Sequence, residues 1–261
     1  MDPAACHVKC SLCHGIPSIR INNLEYCNAC FERQLLRRIL RCLRGLRPKT
    51  KIMLYFDGTL QSLTIAHAVG RFKNKALHEF VVAVRKGTEC EFLSILSGLG
   101  FNKHVMLSAS NTSSGIDPLP NDVVYAARES GSHMLIFQMC AEVESVIALR
   151  SICNGCGVDA YSQIYSNASN PVAVNALEKT KAKEIAYYAY LNNITYTCTM
   201  HTPRTTETEA VLLRFVKKMD NRNSLSVFNI LNTIRKLVSD SQAAVSKDRL
   251  VYGCSKETAP D

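Results

Sequence analysis

Short apolar runs alternate with helix-like stretches from residue 51 onward, and this alternation restricts the folds open to the chain. The runs are rich in β-branched and aromatic residues and cover 51–56, 78–84, 103–109, 133–139 and 171–174. The stretches between them cover 61–69, 88–99, 121–129 and 141–152. This pattern predicts an α/β fold, a parallel sheet of about five strands with helices on both faces. Ligands of such sheets bind beyond the carboxyl ends of the strands, where the strand order reverses.

The chain divides into three predicted regions. Residues 1–48 hold a cysteine module and a basic helix, and 49–202 hold the α/β domain. Residues 203–261 form a C-terminal region of helices and a polar tail. Helical patterns cover 180–191, 205–219 and 224–238, and we expect the tail from Ser239 to fray.

Four cysteines in the first region have the spacing of a structural zinc site. Cys10 and Cys13 form one Cys-x2-Cys pair, Cys27 and Cys30 form another, and thirteen residues separate the pairs. Each pair can direct two sulfurs at one ion, and the segment between them can form a loop or short hairpin. Four thiolates leave no open coordination position, so we predict a zinc ion that supports folding and not catalysis.

A strongly basic segment follows the cysteines. Residues 1–50 carry nine Lys and Arg against three acids, which is +6 of the chain's net +9. Apolar residues recur at helical spacing from Phe31, and we predict one helix over 31–47, ended by Pro48. Its arginines predict contact with nucleic-acid phosphates, against the alternative of an ordinary solvated face. The predicted contacts are Arg33, Arg37, Arg38, Arg41 and Arg44.

The loop after the first predicted strand lies where nucleotide-binding proteins hold a phosphate. Its sequence is YFDGTLQS (55–62). Only Gly58 allows close backbone approach, Ser62 is the one candidate side-chain donor, and Asp57 would repel phosphate. We therefore expect a degenerate nucleotide site at Gly58 and Ser62, and ATP binding is in doubt.

Three further cysteines could handle sulfur or an iron–sulfur cluster. Cys153 and Cys156 follow a predicted helix, and Cys198 lies in a strand-like run. The favoured alternative is that Cys140, Cys153 and Cys198 are small core residues, so we do not expect a cluster.

No membrane or secretion signal is evident. No stretch approaches the roughly 18 unbroken apolar residues of a membrane span. The N-terminus lacks the apolar segment of a signal peptide, and we expect a cytoplasmic protein with no membrane contact.

These motifs together resemble the cytosolic tRNA 2-thiolation proteins. The resemblance is carried by CSLC…CNACFERQ, KIMLYFDGTLQS, KAKEIAYYAYLNNITYTC (181–198) and SVFNILNTIRKL (226–237). It implies a domain of the PP-loop ATP-pyrophosphatase class, which binds ATP through a Ser-Gly-Gly-x-Asp-Ser loop. Of that loop this chain retains only Gly58 and Ser62. Catalytic members also place a Cys-x2-Cys before the fourth strand, whereas Cys153 and Cys156 follow it here.

With these departures from the catalytic pattern, the chain resembles the family's second, non-catalytic subunit. That resemblance implies a heterodimer with the catalytic subunit, acting on the wobble uridine (position 34) of tRNAs for Lys, Gln and Glu. It also implies sulfur from a thiocarboxylated ubiquitin-like carrier. Two alternatives stay open: a divergent catalytic thiolase that adenylates uridine with ATP, and a zinc-headed nucleic-acid-binding regulator.

Overall fold

The computed structural model describes residues 9–73, 77–85, 89–107, 116, 119–156, 170–194 and 205–252. Five parallel strands form the central sheet, in the spatial order β5-β4-β3-β6-β7. They are β3 (Lys51–Phe56), β4 (Glu79–Arg85), β5 (His104–Leu107), β6 (Met134–Phe137) and β7 (Val172–Asn175). The predicted fold class is confirmed, and the strand order reverses between β3 and β6.

The helices of the sheet domain lie close to their predicted positions. They are α2 (Leu60–Lys73), α3 (Glu89–Gly98), α4 (Asn121–Glu129) and α5 (Ala141–Cys153), each leading from one strand toward the next. Three more follow β7: α6 (Ala182–Leu191), α7 (Glu207–Arg222) and α8 (Ser226–Tyr252). The expected fraying from Ser239 is wrong, because α8 continues to Tyr252. Among the described residues, no helix combines the length and apolar character needed to cross a bilayer.

Each face of the sheet has its own hydrophobic cluster, as the alternation of side chains along a strand requires. Ile52, Leu54 and Phe56 of β3 point into one cluster, which α2, α3 and α6 complete. Met53 and Tyr55 point into the other, which α4, α5, α7 and α8 complete. The sheet is therefore covered on both sides, and its edge at the carboxyl ends of the strands is left to the loops.

The N-terminal module packs onto the first of these clusters. A hairpin of β1 (Ile19–Ile21) and β2 (Leu24–Tyr26) turns at Asn22 and Asn23, both with positive φ, as a tight two-residue turn requires. The next element, α1, spans Asn28–Ile39. Buried side chains of the hairpin and α1 join the same cluster as β3, so the module and the sheet share one core.

The basic helix is shorter than predicted. Instead of one helix over 31–47, α1 ends at Ile39 and a 3-10 helix covers Leu40–Leu43. A 3-10 turn aligns side chains three residues apart. It therefore directs both Leu40 and Leu43 toward the core, where they pack partly buried.

Candidate functional site

The four N-terminal cysteines converge on one point. Their Sγ atoms all lie within 4.8 Å of one another, and the Sγ atoms of Cys13 and Cys27 are 3.5 Å apart. Four sulfurs bound tetrahedrally to one ion at about 2.3 Å lie about 3.8 Å from each other. The four cysteines can therefore hold a metal ion.

Local structure explains this convergence. The N–H of His14 donates to the carbonyl of Cys10 (3.0 Å) and the N–H of Cys10 to that of Gly15 (2.8 Å), which folds the first pair into a knuckle. Cys27 caps α1 and Cys30 lies in its first turn, where the helix dipole favours thiolates. The hairpin between the pairs brings the knuckle and the helix together.

The four thiols lie so close together that the pKa values of two of them are shifted in opposite directions. N–H groups of Cys27 and Leu12 that point at Cys10 lower the pKa of its thiol to about 6. A hydrogen bond with Cys13, followed by burial, raises the pKa of the Cys30 thiol to about 12. Neighbouring thiolates repel, so full ionisation of the set requires a cation at its centre.

The predicted phosphate-binding arginines fall into two groups. Arg33, Arg37, Arg41 and Arg44 are exposed, and within the described ranges none of them forms a salt bridge. Arg38 instead lies half-buried against α6. Its Nη2 is 2.6 Å from Oε2 of buried Glu184, and its Nη1 donates to the carbonyl of Lys179 (2.7 Å). Four arginines thus form a free basic face, while Arg38 joins the N-terminal module to the sheet domain.

The loop between β3 and α2 is closed by its own side chains. Oδ1 of Asp57 accepts from the N–H (3.0 Å) and the hydroxyl (2.7 Å) of Thr59. The hydroxyl of Ser62, the predicted phosphate donor, is buried and donates to the carbonyl of Thr59 (2.9 Å). The carboxylate of Asp57 therefore occupies donors that a bound phosphate would use.

A buried aromatic ring covers Gly58. Gly58 has φ +78°, and a Cβ there would lie 2.7 Å from the ring of Phe92 on α3. Phe92 packs edge-on against Phe56 at the end of β3, with ring centroids 5.4 Å apart. The absence of a side chain at Gly58 thus allows the Phe92 ring to pack closely on the loop.

The loop after β6 completes the edge where the strand order reverses. Asn175 braces it, since its side-chain amide donates to the carbonyl of Met139 (2.9 Å) and its Oδ1 accepts from the N–H of Met139 (3.0 Å). Cys140 is buried there, and burial raises the pKa of its thiol to about 12. The Oε1 atom of buried Gln138 has no hydrogen-bond partner in the described part of the chain.

No family model and no curated protein matches the chain. Among solved structures it is similar to the U34-tRNA thiolase NcsA from Methanococcus maripaludis, solved with its [4Fe-4S] cluster. Identity is 14%, the TM-score is 0.74, and the match covers 89% of this chain and 87% of the thiolase. The chain has the fold of that thiolase. NAD+ synthetase from Burkholderia pseudomallei also matches, with 15% identity over 80% of this chain and 90% of the synthetase, at a TM-score of 0.36.

Of the remaining predicted cysteines, the two that the structure describes do not lie at the carboxyl edge of this thiolase-like fold. Cys153 and Cys156 are exposed and lie at and just beyond the C-terminus of α5. The expectation that Cys153 is a core residue is therefore wrong, whereas Cys140 is buried as expected. Because α5 starts at the carboxyl edge and runs away from it over 13 residues, Cys153 and Cys156 lie roughly 20 Å from its start, toward the opposite end of the sheet. Cys198 lies outside the described residues.

Sequence reasoning missed two features of the thiolase-like fold. Phe92 was not connected with Gly58, since nothing in its local sequence marks it as the partner of that loop. The half-buried ring of Tyr187 and the exposed ring of Tyr190 on α6 were also overlooked. Their spacing of three residues, which puts both on one helix face, was the available signal.

Proposed function

We propose that this protein is a non-catalytic subunit for 2-thiolation of the wobble uridine, position 34, of tRNA. In this proposal it binds tRNA and a catalytic thiolase subunit as a heterodimer in the cytoplasm. The tRNAs are those for Lys, Gln and Glu, and a thiocarboxylated ubiquitin-like carrier supplies the sulfur. The likeness to a U34-tRNA thiolase over 89% of the chain supports a role in this modification.

One observation carries the non-catalytic role: the β3–α2 loop is closed by Asp57 and covered by Phe92. A phosphate brought to about 4 Å from the Asp57 carboxylate would meet repulsion of about 4 kcal/mol per unit charge at an effective dielectric constant of about 20. It would also have to displace the hydrogen bonds of Thr59. ATP binding at this loop is therefore strongly disfavoured.

We propose zinc as the ion of the four-cysteine site. The compact sulfur cage supports a single ion, because a multi-iron cluster places each thiolate on a different iron and so spreads the sulfurs apart. The thiolase neighbour carries a [4Fe-4S] cluster. In this chain the exposed positions of Cys153 and Cys156, away from the Gly58 loop, argue against transferring that cluster to them.

The basic face of Arg33, Arg37, Arg41 and Arg44 is the proposed tRNA contact. These side chains are exposed: Arg33 and Arg37 lie on α1, which begins at the ligands Cys27 and Cys30, while Arg41 lies in the 3-10 helix and Arg44 directly after it. A module held rigid by the ion would present them as one surface. Arg38 stays a predicted contact from the sequence, but its ion pair with Glu184 gives it a structural role here.

Co-expression with the catalytic subunit tests the proposal. We expect a stable complex, 2-thiouridine in tRNA only when both chains are present, and no ATP binding by this chain alone in calorimetry. Thiolation or ATP binding by the isolated chain would instead support the divergent catalytic thiolase. The Oε1 atom of Gln138, which has no hydrogen-bond partner among the described residues, would then be a first candidate contact. Equal affinity for duplex DNA and tRNA at matched salt would favour the zinc-headed regulator.

A further inference from the structure

A groove lies between the hairpin of the N-terminal module and α6. Its volume is about 490 Å³, within the roughly 300–1,000 Å³ of small-molecule sites. Its lining includes Ser18, Arg20, Lys183, Ala186, Tyr187 and Tyr190. We call it the Tyr190 groove. None of the four arginines of the basic face lines it, so it is a separate surface.

Two tyrosine rings form a preorganised stack in this groove. The rings of Tyr187 and Tyr190 have centroids 6.1 Å apart and an interplanar angle of 29°. Tyr187 is held in place, since its hydroxyl donates to Oδ1 of Asn28 (2.8 Å) and its ring packs edge-on against Phe31 (5.2 Å). Tyr190 is 75% exposed, so its outer face is open to a further planar group.

The charge beside the stack is positive. Lys183 is exposed and its Nζ donates to the carbonyl of Arg20 (3.1 Å). A carbonyl carries no net charge, so this contact does not neutralise the ammonium group. Nε of Arg20 lies 3.7 Å from Glu25, but Arg20 is 63% exposed and such exposed pairs contribute little. The described lining contains two cations and no acidic side chain.

An exposed ring stack beside cations is the arrangement with which proteins bind unpaired nucleotides. Every base offers a π-face to an aromatic ring, and the phosphates on either side attract cations. We propose that the Tyr190 groove binds an unpaired nucleotide of RNA, with the base on Tyr190 and its phosphates near Lys183 and Arg20. This inference rests on the proposed tRNA-binding function, since it names a second contact for that substrate.

Binding of two RNA probes to the full-length metal-loaded protein tests the inference. The probes are a fluorescein-labelled oligouridylate of about eight nucleotides and an RNA duplex of about sixteen base pairs. Tyr190→Ala should weaken oligouridylate binding by roughly 5- to 100-fold, because stacking on one base is lost. Tyr190→Phe keeps the ring and should stay within about twofold, and duplex binding should not respond to either change. Tyr125→Ala is the matched control, since Tyr125 is 62% exposed on α4.

The outcomes separate this inference from the proposed function. Equal oligouridylate affinity of Tyr190→Ala and wild type overturns nucleotide binding in the Tyr190 groove. Thiolation by the co-expressed complex would in that case still support the proposed function. Weakened binding by Tyr190→Ala supports the groove even if tRNA thiolation proves independent of this protein. Loss of the catalytic subunit from Tyr190→Ala, with RNA affinity unchanged, would identify a protein-docking surface and overturn the RNA assignment.

Discussion

Replacing Arg38 by Ala distinguishes a structural arginine from its exposed neighbours, which are the proposed RNA contacts. Glu184 is 1% exposed, and its closest cation is Arg38, with Nη2 and Oε2 2.6 Å apart. Removing one partner of a buried pair typically costs about 3–5 kcal/mol, because the other charge is left without compensation. Arg38 is itself 30% exposed, so water can partly replace it and the lower end of that range applies. We expect Arg38→Ala to lose about 3 kcal/mol, or roughly 6–12 °C in melting temperature.

The loss should depend on pH in a defined direction. Burial already raises the pKa of Glu184 above its ordinary value, although Arg38 lowers it, and without Arg38 that pKa rises further. A carboxyl whose pKa is raised on folding contributes stability below its unfolded pKa, about 4.3, and loses it as pH rises through the folded pKa. The difference between wild type and Arg38→Ala should therefore be largest near pH 7.5 and shrink toward pH 5.

Thermal melts followed by circular dichroism, with both proteins metal-loaded in the same buffers, measure this difference. Arg37→Ala is the matched control, because Arg37 is exposed on the same helix and should change stability by less than about 0.5 kcal/mol. Adding Glu184→Gln to Arg38→Ala should recover part of the loss, since the buried charge is gone. A melt of Arg38→Ala equal to that of Arg37→Ala, with weaker tRNA binding, would refute the structural role and return Arg38 to the proposed RNA contacts.

Three further perturbations test the metal site, the basic face and the closed loop. Cys27→Ser should abolish zinc binding in plasma mass spectrometry and unfold the N-terminal module, whereas Cys153→Ser, at an exposed thiol, should keep one zinc per chain. Combined Arg33→Ala, Arg37→Ala and Arg41→Ala should weaken tRNA binding and reduce the slope of log affinity against log salt by about 2–3. Combined Arg214→Ala, Lys217→Ala and Lys218→Ala removes equal charge from exposed positions on α7, and an equal effect would show only non-specific attraction. Gly58→Ala should lose more stability in urea titration than Gly45→Ala, by about 1–3 kcal/mol, because both have positive φ but only Gly58 has a ring where the Cβ must go. Equal losses of stability would mean that the Phe92 ring moves aside without measurable cost, and would contradict the close packing at Gly58.

Much of the fold was predictable because its signals are local. The strand and helix patterns place β3 at 51–56 and α4 at 121–129, as the structure has them. The basic helix was less predictable. Its apolar spacing continues past Ile39, but packing of Leu40 and Leu43 on the core favours a 3-10 turn there. Propensity alone does not contain that tertiary preference.

The candidate site was predictable to the extent that neighbours in sequence form it. Two Cys-x2-Cys pairs and a short linker bring four sulfurs together almost regardless of the rest of the chain. That the loop around Gly58 lacks the residues of a phosphate-binding loop is likewise visible in the sequence. That Asp57 fills the donors of this loop, and that Phe92 covers it, is a matter of geometry.

By itself, then, the sequence determined the strand–helix alternation, the four-cysteine spacing and the excess of positive charge at the N-terminus. Only the tertiary structure decided which of these arginines stay exposed to solvent and which one is paired within the protein. Arg38 and Glu184 are 146 residues apart in the chain, so no local spacing links them. They meet because α1 and α6 pack on the same face of the sheet, and burial of Glu184 then requires a cation beside it.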